Sequence, residues 1–145
     1  MYCTPDELTE YVFKKYLEKI EALVPGIIDE HISGVSMEID DALRPRFALP
    51  LSTPPETICR IAKVMASFRC VGSITTLMDT EAASANIWLP LQMQYKEALK
   101  DLKAIAAGKM DLGLEALGNE PDDGQGAIAV HKRPGIFNDA FWKRF

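Results

Sequence analysis

Few residues in this 145-residue chain have the type and spacing needed for chemistry. There are two histidines. His31 lies in Asp29-Glu30-His31 with no second histidine four residues on, so it lacks the two-ligand helix face of a zincin. It reads as a surface or partly buried polar residue. His131, beside Lys132-Arg133, reads as part of a basic stretch. The three cysteines show no close metal-binding pair. Cys59 and Cys70 fall 11 residues apart on one helix face, too far along it for a disulfide, and read as small core residues. Ser36, Ser67 and Ser73 sit in no nucleophile-elbow pattern. Gly108-Lys109 lacks the glycines and the Ser/Thr of a phosphate loop. Glu38, Asp40 and Asp41 could bind a cation or act as paired carboxylates, but they read as the solvated face of a helix. Asp122-Asp123-Gly124 lacks the later glutamate of a calcium loop and reads as a turn. The expectation is therefore no enzyme, no catalytic residue, no cofactor and no metal.

The elements that would position these residues are helical. Thr4, Pro5 and Glu7 form a capping-box start. Leu8, Val12, Tyr16 and Ile20 then repeat every four residues, flanked by Phe13, Leu17 and Val24, up to Pro25-Gly26. A second helix is predicted over 27–43, with Ile28, Ile32, Val35, Ile39 and Leu43 on one face. Gly34 marks a place where another backbone comes close. Arg44-Pro45 should stop this helix, because a residue before proline is pushed out of the α region. Phe47 to Pro55 reads as an extended, proline-stiffened segment packed across the helices. The third helix should start at Thr53 or Pro54 and run to Leu77 or Met78, with Ile58, Ile61, Ala62, Met65, Phe68 and Gly72 on its face. Asp79 to Asn86 reads as a polar linker. The fourth helix is predicted from about Asn86 to Ala107, with Pro90 in its first turn and a stripe of Trp88, Leu91, Tyr95, Leu99, Leu102 and Ile105. Gly108 stops it.

The fold class is thus all-α: about four helices in a small bundle, with an extended proline-rich loop and a partly flexible C-terminal tail. Residues 1–109 form the helical domain and 110–145 the loop and tail, in which Ala127 to Val130 could make a short strand. Hydrophobic residues are 48% and charged residues 26%, enough for one modest core. No apolar run approaches the ~20 residues of a membrane span, so no membrane partner is expected. The start of the chain lacks the features of a signal peptide, and the unpaired cysteines suit a reduced, cytosolic history.

Net charge is −5, which argues against a free-standing duplex-DNA binder. The charge is uneven: Lys132, Arg133, Lys143 and Arg144 against Asp139 leave about +3 on the tail. A basic tail on an acidic body can dock onto an acidic neighbour, or be a solvated terminus. The same segment carries Phe137, Phe141, Trp142 and Phe145, which are costly to leave in water. These eight residues, with Arg46 and Phe47 of the proline loop, are the candidate partner-binding set.

The stretch Ile39-Asp40-Asp41-Ala42-Leu43-Arg44-Pro45-Arg46-Phe47-Ala48-Leu49-Pro50-Leu51 resembles the hallmark of the Mu-like phage and prophage small head–tail connector family. There, a helix with an Ile-Asp pair leads to an Arg-aromatic step and then Leu-Pro. The Tyr2, Thr4-Pro5-Asp6-Glu7-Leu8 opening and the run from Tyr95 to Ala106-Ala107-Gly108-Lys109 fit as well. Pro45 departs from the pattern. The resemblance covers roughly residues 1 to 112 and implies a structural adaptor. That adaptor would form a ring of its own copies between portal and tail-completion proteins, with DNA passing the channel unread. It would be cytoplasmic during assembly and then part of the virion, or encoded by a prophage. The alternative is a small helical DNA-packaging accessory or regulator that binds nucleic acid through the basic tail.

Overall fold

A computed structural model describes residues 1–77 and 87–117. The expected linker at 79–86, the strand at 127–130 and all candidate residues from Lys132 to Phe145 lie outside the described residues. Within them the protein is an all-α bundle: a 3-10 helix at Pro5–Glu10, then α1 (Lys14–Leu23), α2 (Ile27–Leu43), α3 (Glu56–Leu77) and α4 (Leu89–Ala106).

The first element is not one helix. Glu7 reaches back to cap the entry, its carboxylate accepting the Thr4 N–H at 2.7 Å and the Thr4 hydroxyl at 3.0 Å. The Leu8 carbonyl then accepts both the Tyr11 and Val12 amides, at 3.0 Å each. Phe13, at φ −57° and ψ 131°, leaves the helical region before α1 begins. This break lets Leu8 and Val12 on one side and Leu17 and Ile20 on the other all reach the core. Phe13 stays 66% exposed as a result.

The second helix has the bounds its periodicity predicts, and Ile28, Ile32, Val35, Ile39 and Leu43 are all buried. Its end differs from expectation. Arg44 keeps a helical conformation (φ −49°, ψ −38°) although proline follows. The turn survives because the Arg46 and Phe47 amides both bond the Leu43 carbonyl, at 2.9 and 3.0 Å, and because Phe47 is buried. The bias of a residue before proline is a preference that packing can override.

The central element is α3, which packs against α1, α2, α4 and the 3-10 helix. It is buried on most sides rather than along one face: Val64, Ala66, Ser67, Cys70, Val71 and Ile74 join Ile58, Ile61, Ala62 and Met65. Phe68 is only half-buried and Gly72 is exposed. A helix surrounded by neighbours loses its amphipathic signature, which is why the one-face reading fell short. α3 starts at Glu56, after Pro54 and Pro55, whose missing N–H groups suit the approach to a helix. α3 and α4 run antiparallel, held by Arg60–Asp101 at 2.7 Å and by the stacked rings of Phe68 and Tyr95, 4.2 Å between centroids. Trp88, Leu91, Ala98, Leu102 and Ile105 bury the inner face of α4, while Lys96, Lys100 and Lys103 face water.

Gly34 does accommodate a neighbour, but a side chain rather than a backbone. A Cβ there would lie 2.8 Å from Arg69 Nη1. The proline loop alternates as expected: Phe47 is buried and Leu49 and Leu51 are half-buried, while Ala48 and Pro50 point outward. Residues 110–117, grouped on sequence grounds with the loop and tail, lie against the bundle through Met110, Leu112, Leu114 and Ala116.

Candidate functional site

The residues of the Ile39–Leu51 stretch do most of their work inside the fold. Ile39, Leu43 and Phe47 are buried. The half-buried Asp40 accepts a hydrogen bond from the Tyr2 hydroxyl, which ties the start of the chain to α2. Burial first, and the Asp40 carboxylate second, push the Tyr2 phenol well above its ordinary value. Asp41 pairs with Arg44 at 3.0 Å and Glu38 with Arg69 at 2.5 Å. The three carboxylates are thus partnered separately and do not converge.

Arg46 is the hub of this region. Its Nη1 donates to the Ile105 carbonyl at 3.0 Å, capping the last turn of α4. Its own carbonyl accepts the Leu117 N–H at 2.7 Å. The guanidinium also lies 5.6 Å from the centre of the Phe47 ring. A cation on the C-terminal carbonyls of a helix is favoured by the helix dipole. Gly108 makes the approach possible: it adopts φ +76°, and a Cβ there would come within 2.4 Å of Arg46 Nη1. The lysine after it returns to the helix, its N–H bonding the Ala104 carbonyl at 2.8 Å.

Of the candidate partner-binding set, Arg46 and Phe47 are the two within the described residues. Phe47 is 4% exposed, and the half-buried Arg46 donates to the end of α4. Sequence reasoning named both as partner-contacting residues and did not foresee the approach of Arg46 to Gly108. The signal was present in the glycine after Ile105-Ala106-Ala107, but pairing it with Arg46 takes a fold.

His31 Nε2 and Ser73 Oγ lie 2.8 Å apart, bridging α2 and α3. Burial first, and the Arg69 guanidinium second, lower the His31 imidazole from its ordinary 6.5. The unfolded chain therefore takes up that proton before the folded one does, so stability falls as pH drops below about 6.5. In urea titrations His31→Gln should flatten that slope below about pH 6.5. Cys3, Cys59 and Cys70 are free thiols. Burial pushes Cys3 up to about 11 and Cys70 up to about 12, which makes both poor nucleophiles at neutral pH. No group of three or more His, Cys, Asp or Glu among the described residues could hold a metal. No helix there is long and apolar enough to cross a membrane.

The most distinctive sequence stretch of this all-α bundle thus serves packing, a helix cap and the placement of the residues that follow α4. The family model described as Bacteriophage Mu, Gp36 matches residues 2–130, and the chain belongs to that family of Mu-like phage proteins. No curated protein matches it in sequence.

Proposed function

We infer that the protein is a head–tail connector, a non-catalytic virion component that assembles with copies of itself between portal and tail. Membership of the Mu-like phage family over residues 2–130 carries this reading. The resemblance around Ile39 to Leu51 narrows it from phage protein to adaptor. Charge supports it too: a chain of net charge −5 lines a channel without holding the DNA that passes. The partners are portal and tail-completion proteins, met through the aromatic and basic residues Lys132, Arg133, Phe137, Phe141, Trp142, Lys143, Arg144 and Phe145. Assembly takes place in the cytoplasm and the product is the virion.

Deleting the coding sequence from the phage or prophage should give filled heads and free tails that do not join. The full chain supplied in trans should restore joining, and a chain with Lys132, Arg133, Lys143 and Arg144 changed to Glu should restore it poorly. Normal joining without the chain would end the reading. The four basic residues between 132 and 144 also favour a second reading, a DNA-packaging accessory. In that case affinity for DNA should fall steeply with salt, with a log–log slope of roughly −0.9 per phosphate contact.

A further inference from the structure

The proline loop and the strand of chain after α4 enclose a groove of about 220 Å³, lined by Phe47, Ala48, Pro50, Leu51, Leu114 and Glu115 with two hydroxyl residues at one end. That is the scale of a single large side chain. Its walls combine the apolar side chains of Phe47, Leu51 and Leu114 with polar surface, and Glu115 supplies a carboxylate. Glu115 is exposed and makes no ion pair among the described residues. Asp111, the other acid of this stretch, already accepts the Gly113 N–H at 2.9 Å. The groove therefore asks for an aromatic or large apolar residue next to a cation.

The chain itself contains such a segment. Phe141-Trp142-Lys143-Arg144-Phe145 places three aromatic rings around two adjacent cations. The chain continues for 28 residues beyond Leu117, whose N–H is fixed on the Arg46 carbonyl beside the groove. The links from Leu117 to Phe141 can span up to roughly 80 Å, so they do not prevent a return. A tethered segment also meets its own groove at a higher effective concentration than a second molecule can supply.

We propose that residues 141–145 dock into the groove of their own chain, one aromatic ring between the proline loop and Leu114, and Lys143 or Arg144 on Glu115. Docked this way, the basic aromatic segment is held on the body until a binding partner competes for it. The idea stands on the groove and the charges alone, so its failure would leave the connector reading untouched.

Hydrogen exchange on the full chain tests it. Amides of 48–53 and 112–117 should exchange roughly fivefold or more faster when Phe141 and Trp142 are both changed to Ser. Glu115→Lys should give a similar acceleration, and adding Lys143→Glu and Arg144→Glu to it should restore protection. Glu115 is exposed, so its replacement is expected to leave the fold intact. Protection should not change over about a hundredfold dilution. Unchanged exchange in the aromatic variant, or no restoration by the charge reversal, would overturn the proposal. Protection that disappears on dilution would overturn it in favour of docking between two copies.

Discussion

Ile61→Ala should destabilise the protein by about 2–5 kcal/mol in urea or thermal unfolding. Ile61 is fully buried on α3, the helix that every other element packs against. Truncation removes three carbons from the middle of the bundle and leaves a space that several helices would have to move together to fill. The cost is thus the lost transfer energy plus the cavity left behind. Against a typical total of about 5–15 kcal/mol this is a large fraction, and Tm should fall by roughly 5–15 °C. Met37→Ala, at a residue 61% exposed on α2, provides the contrast and should stay within about 0.5 kcal/mol of the parent.

The second large effect belongs to the Arg46–Gly108 clamp. Arg46→Ala removes a charged donor from the Ile105 carbonyl, worth about 1.5–3 kcal/mol, and withdraws cover from the Phe47 ring. Gly108→Ala should cost about 1–2 kcal/mol for the positive φ, with more for displacing the Arg46 guanidinium, which the added Cβ would strike. The two losses should not add. Once Arg46 is gone the alanine at 108 clashes with nothing there, so the double variant should be less destabilised than the sum by about 0.5–3 kcal/mol. Arg46→Ala should also speed exchange of the Leu117 amide, because the carbonyl that holds it belongs to the residue being released. Full additivity in the double-mutant cycle would contradict the clamp.

How far the sequence could be read depended on how many sides of each element are covered. α2 has one buried face, and its spacing of Ile28, Ile32, Val35, Ile39 and Leu43 led straight to its bounds. α4 was nearly as legible, apart from Ala98, which is too small to mark a stripe but is fully buried. α3 was harder, because burial on most sides erases the contrast that periodicity relies on. The first element misled for a different reason: a four-residue repeat from Leu8 to Ile20 is also satisfied by a 3-10 helix, a break at Phe13 and a short α-helix. Asp40 was visible as one of three neighbouring acids, yet its tie to Tyr2 spans 38 residues and no local pattern encodes it. Arg46 and Phe47 were picked out as residues that meet a partner, but the bond from Arg46 to the end of α4 spans 59 residues and no local pattern encodes it.

The stretch that carries the resemblance builds the body and holds Leu117 beside the proline loop, its N–H on the Arg46 carbonyl.

The central claim is best tested by cryo-electron microscopy of particles from the phage that encodes this chain. A ring of copies should lie between portal and tail, each with the α1–α4 bundle recognisable in the density. Finished, tail-bearing particles with no copy of the chain at the junction would contradict it.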